Sequence, residues 1–75
     1  MKELIESMAK SLVTNPDAAT VTEVETEDGL ELTLKVAPED MGKVIGKQGR
    51  IAKAMRIVLK AAASREGKKA NLEIE

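Results

Sequence analysis

The sequence predicts an α+β domain of order α-β-β-α-α-β, in which a three-stranded mixed sheet carries three helices on one face. Three observations point there. Apolar residues recur at helical spacing in three separate places. A pair of β-rich segments flanks Asp28-Gly29, and the last six residues, "ANLEIE", alternate again as a strand.

The first helix is expected from about residue 2 to 13, where Leu4, Ile5, Met8 and Leu12 share a face and "TNPD" ends it, because Asn15-Pro16 cannot continue a helix. Then "TVTEVET" and the alternating Leu30, Leu32, Leu34 and Val36 read as two strands joined by an Asp-Gly turn. Val21 and Val24 differ in parity, which predicts a bulge or a ragged edge in the first strand. Pro38-Glu39-Asp40 supplies a helix start, with carboxylates at the positive end of the dipole, and Met41, Val44 and Ile45 give the short helix its apolar stripe. The longest helix begins after Gly49 and ends at Gly67. Its expected core stripe is Ile51, Met55, Val58, Leu59 and Ala62, within about 100° on a helical wheel.

Composition narrows the chemistry. Seventy-five residues make one small domain, residues 1–75, and a domain of this size buries only about 60% of its unfolded surface. Cys and His are both absent, so disulfides, Cys/His metal sites and imidazole catalysis are not expected, and self-association is the remedy left for a thin stability margin. Phe, Tyr and Trp are missing too, so the core must be aliphatic and no ring can stack on a base. Ser7, Ser11 and Ser64 have no base oriented toward them, so no catalytic residue and no cofactor is expected. No apolar run nears the roughly 20 residues of a membrane span, and "MKELIESMAK" lacks a signal-peptide core, which predicts a cytoplasmic chain without membrane contact.

The formal charge of -1 hides an asymmetry: residues 1–41 hold three Lys against ten acids, whereas residues 42–69 hold nine Lys and Arg against Glu66 alone. One half can meet phosphate and the other repels it. The cations concentrate in "KVIGKQGRIAKAMR", Lys43 to Arg56, around Gly46-Lys47-Gln48-Gly49. A sharp turn of this kind leads into a helix N-terminus, whose unpaired N–H groups and positive dipole end suit a phosphate. Lys43 precedes the loop, Arg50 follows it, and Lys53, Arg56 and Lys60 line an outer surface running away from it. A Walker A loop and a dinucleotide fingerprint both fail on spacing.

"VIGKQGRI", Val44 to Ile51, resembles the V-I-G-x-x-G-x-x-I core of KH domains, whose G-x-x-G loop clamps a few nucleotides of single-stranded backbone. The element order is similar to the type II KH arrangement, and "APEDMGKVIGKQGRIAKAMR" resembles the small stand-alone bacterial KH proteins. The resemblance implies non-catalytic binding of single-stranded RNA, a part in post-transcriptional regulation or as an RNA chaperone, homodimerisation, and partnership with a second KH protein of the KhpB (Jag) type. It makes Gly46, Lys47, Gln48 and Gly49 the clamp, with Ile45 and Ile51 bracing the loop and Val44 either in an apolar floor for bases or in the core. The cations Lys43, Arg50 and Lys53 support them. An adaptor that mainly dimerises or recruits a partner is the other reading. A second stripe on the long helix, Ala54, Ile57 and Ala61 with Ser64, is the expected dimer seam.

Overall fold

The computed structural model describes all of residues 1–75. The elements run α1 (Lys2–Lys10), β1 (Thr20–Thr26), β2 (Gly29–Lys35), α2 (Met41–Ile45), α3 (Arg50–Arg65) and β3 (Ala70–Ile74), with short 3-10 turns at Pro16–Ala18, Pro38–Asp40 and Lys47–Gly49. The sheet order is β1-β2-β3, antiparallel between β1 and β2 and parallel between β2 and β3, so the sheet is mixed as expected.

The helices cover one face. Leu30, Leu32 and Leu34 of β2, with Ala70 and Leu72 of β3, meet Ile5 and Ala9 of α1, Val44 of α2, and Met55, Leu59 and Ala63 of α3. Ile5, Leu32, Leu34, Val44, Met55 and Leu59 are completely buried. Each such aliphatic side chain contributes about 1.5–3 kcal/mol from burial, and no aromatic ring is needed to fill the layer.

Four local features differ from the sequence reading. The α-helix of α1 stops at Lys10 rather than residue 13: Ser11 donates its hydroxyl back to the Met8 carbonyl at 2.7 Å, and the Leu12 N–H reaches Ala9 O at 3.0 Å, three residues back. The last turn tightens and leaves Leu12 on the surface.

The first strand has no bulge. Its register with β2 is continuous from Thr20 opposite Lys35 to Thr26 opposite Gly29, and Val24 turns to the open face, where it is 52% exposed opposite Glu31.

The hairpin loop is Glu27-Asp28, and Gly29 begins β2. Its glycine serves another purpose: φ is 143°, and a Cβ there would collide with the Lys69 carbonyl, which accepts from Leu30 N–H at 2.8 Å.

The core stripe of α3 is the fourth difference. Ala52, Met55, Leu59 and Ala63 are buried, whereas Val58 is 38% exposed and Ile51 and Ala62 lie at the margin. Counting 100° per residue, the buried face is rotated by about 60° from the expected one. The helix ends as predicted near Gly67, whose φ is 71°; Lys68 N–H bonds Ala63 O at 2.9 Å and Gly67 N–H bonds Ser64 O at 3.0 Å. Both bonds satisfy carbonyls the helix end leaves free.

Candidate nucleic-acid interface

The glycine loop is built by two abrupt changes of backbone direction. Gly46 closes α2, donating its N–H to Gly42 O at 2.9 Å, and its φ of 77° with ψ of 175° belongs to a region essentially reserved for glycine. A Cβ at Gly46 would lie 2.6 Å from Ile51 Cγ1, so the loop rests directly on the Ile51 side chain. Gly49 (φ 73°, ψ 16°) then turns the chain into α3, and Gly49 N–H bonds Gly46 O at 3.1 Å. Gln48 between them is also left-handed (φ 58°, ψ 26°), the only non-glycine residue with positive φ.

This geometry puts Lys47 and Gln48 at an exposed tip, with Arg50 exposed just behind it. Arg50 Nη2 approaches Gln48 Oε1 at 3.4 Å, a long contact that leaves the guanidinium free for other acceptors. The N-terminus of α3 has no side-chain cap, and of its first-turn N–H groups that of Arg50 bonds back to Lys47 O. Sixteen residues of helix stand behind those groups and supply the positive end of the dipole. The ensemble is a cradle of N–H donors, a lysine, an amide and an arginine around a point where glycine allows close approach.

Other residues named from the sequence fall in different places. Lys53 is exposed on the first turn of α3. Ile45 is half out of the core at 36% exposure, Ile51 supports the loop from below, and Val44 is wholly buried, so it takes the core alternative and offers no surface to a base. Lys43 is drawn to Asp40, its Nζ lying 3.7 Å from Oδ1. Ala54, Ile57 and Ala61 are exposed together, Ile57 at 63%, and the rotation of α3 adds Val58 to them.

Asp40 is the residue the sequence did not reveal. It reads there as a first-turn acid, yet it is completely buried and accepts from Thr14 Oγ1 at 2.7 Å, Thr14 N–H at 3.1 Å and Asn15 N–H at 3.1 Å. The Thr14 hydroxyl bond, opposed by burial and reinforced by the two N–H bonds and Lys43, holds its carboxyl below the ordinary value of 3.8. Asp40 thus ties the loop after α1 to the start of α2, the short helix that leads into the glycine turn. A partner 26 positions away carries no local signal.

A KH fold with an intact G-x-x-G turn is the class these features define. The chain matches the family described as "KhpA/KhpB, KH domain" over residues 2–74, and it belongs to that family. Similar relatives include "RNA-binding protein KhpA" of Clostridium acetobutylicum and of Clostridium perfringens, each 64% identical over 74 residues and covering 99% of both chains. The protein of that name from Caldanaerobacter subterraneus subsp. tengcongensis is 57% identical over the same share. No solved structure matches the chain. No helix is long and apolar enough to cross a membrane.

Proposed function

We propose that this chain is a non-catalytic single-stranded RNA-binding protein that grips the phosphate backbone at Gly46-Lys47-Gln48-Gly49. The observation that carries the reading is the uncapped N-terminus of α3 presented by a double-glycine turn, with Lys47 and Arg50 beside it. The name shared by the relatives, "RNA-binding protein KhpA", supports it. A single clamp of this kind covers about four nucleotides, which suits a regulator or chaperone acting on many transcripts.

Replacing Lys47 and Gln48 together with Asp tests the clamp. Two carboxylates at the tip oppose the phosphates that the helix N-terminus attracts, so affinity for an unstructured oligonucleotide should fall at least tenfold while the thermal melt stays in place. The wild-type salt dependence should show log K falling by about 0.7 per phosphate contact, a slope of about -2 to -3 for three or four contacts. Unchanged affinity in the double variant sinks the assignment. Weak binding indifferent to the loop would favour the adaptor reading, in which the scaffold mainly joins partners.

Self-association belongs to the same proposal. Ala54, Ile57, Val58 and Ala61 form a narrow apolar strip with small residues along its length, which lets a second α3 approach closely. The family's joint description of KhpA and KhpB supports a KhpB-type KH protein as an alternative occupant of this face.

A further inference from the structure

The fold closes one outer edge of the sheet and leaves the other bare. On β3, Ala70 and Leu72 are buried, and Arg56 Nε donates to the Leu72 carbonyl at 3.3 Å. On β1 only the start is covered, where Val21 is buried; every residue from Thr22 to Thr26 is exposed. Main-chain directions follow from the ladder. Leu30 N–H bonds toward β3, to Lys69 O at 2.8 Å, so in β2 it is Glu31 and Thr33 that bond toward β1, to Val24 and Thr22. Glu23 and Glu25, opposite Leu32 and Leu30, therefore turn their N–H and C=O groups away from the sheet, and no other backbone group bonds them.

The side chains on this bare stretch select what can lie against it. Glu23 and Glu25 share one face and Val24, 52% exposed, takes the other. A second copy of β1 is rejected, because antiparallel pairing about Val24 would set glutamates directly opposite glutamates. A cation is accepted: Lys68 Nζ already lies 3.7 Å from Glu25 Oε2, while Glu23 has no ion pair. We propose that the β1 edge takes an extended segment of another protein as an added antiparallel strand, one in which Lys or Arg alternates with β-branched residues. The cations face Glu23 and Glu25 while a Val, Ile or Thr between them covers Val24. The site lies across β2 from β3, against which Arg56 of α3 is held, so it stands independently of the glycine-turn reading.

A heptapeptide of alternating lysine and valine tests this, titrated into isotopically labelled protein while amide hydrogen exchange is followed by NMR. Binding should slow exchange at the Glu23 and Glu25 amides and leave the Val24 amide, already paired with Glu31, unchanged. Methylating the backbone nitrogens of the peptide's lysines removes the donors aimed at the edge and should weaken binding by about tenfold, whereas methylating those of its valines should not. Glu23→Lys/Glu25→Lys should reverse the preference, losing the lysine peptide and taking one of alternating glutamate and valine. Equal binding of the two methylated peptides would show charge attraction without strand pairing. Unprotected Glu23 and Glu25 amides at millimolar peptide would show that the glutamates only guard the edge against aggregation. Either result overturns the proposal.

Discussion

Replacing Gly46 with Ala should destabilise the domain far more than the same change at Gly49, although both glycines have positive φ in the same loop. At Gly46 two costs coincide. The backbone (φ 77°, ψ 175°) lies where a Cβ is disfavoured, at a strain of about 1–3 kcal/mol. The added methyl would also stand 2.6 Å from Ile51 Cγ1 and 2.9 Å from its Cβ and Cδ1, so the side chain under the loop must give way. Overpacking of that kind costs about 1–3 kcal/mol. The total of about 2–6 kcal/mol, at about 4–8 °C per kcal/mol for a domain this small, lowers Tm by at least about 8 °C. At Gly49 a Cβ meets nothing within 4 Å, so only left-handed strain of about 1–2 kcal/mol applies. Paired calorimetric melts of the two variants measure the difference. A third variant, Gly46→Ala with Ile51→Ala, removes Cγ1 and Cδ1 from the collision and should show a favourable coupling of about 1 kcal/mol in the double-mutant cycle. If Gly46→Ala melts with Gly49→Ala, or the cycle shows no coupling, the loop does not rest on Ile51 as described.

Two further outcomes follow from the packing. Asp40 has its carboxyl held below the ordinary 3.8, so the stability it contributes is fully present above that value and is lost as pH falls through its lower folded pKa; Asp40→Asn should lower Tm at neutral pH and flatten the decline below about pH 4, read by melts from pH 2 to 7. Ile57→Glu should shift sedimentation at high micromolar concentration from dimer to monomer without changing RNA affinity at the glycine turn. A dimer unmoved by this substitution places the contact on another surface.

Much of this was legible in the sequence because the responsible interactions are local. The element order, the glycine turn and the Gly67 stop all depend on spacing or on residues a few positions apart, and the structure shows each of them. What the sequence misjudged depends on neighbours it cannot display. Val58 and Ala63 both fit an apolar stripe on α3, and only the positions of α1 and the sheet decide that Ala63 turns inward. Gly29 reads as a turn residue because Asp-Gly favours hairpins, yet the backbone of Lys69, forty residues later, determines why a side chain does not fit there. Asp40 was misjudged for the same reason, since Thr14 and Asn15 reach it across β1 and β2.

The charge asymmetry of the sequence resolves into a division by surface. The cations of residues 43–60 follow the glycine turn and the outer side of α3, while Glu23, Glu25, Glu27 and Glu31 sit on the hairpin and its exposed strands. If RNA binds at the glycine turn as proposed, the cationic track favours a strand along α3 and the acidic sheet beside it disfavours one there. With no aromatic platform, discrimination rests on hydrogen bonds and apolar contact alone, so one copy reads little sequence. Pairing two copies along the Ile57 strip would place two tracks on one particle, and the second binding event becomes intramolecular. Avidity then supplies affinity that a four-nucleotide clamp lacks, and Ile57→Glu should weaken binding to a long RNA bearing two unpaired segments while leaving a single short oligonucleotide unaffected. Equal loss on both RNAs would show that Ile57 acts on the fold of the turn rather than through pairing.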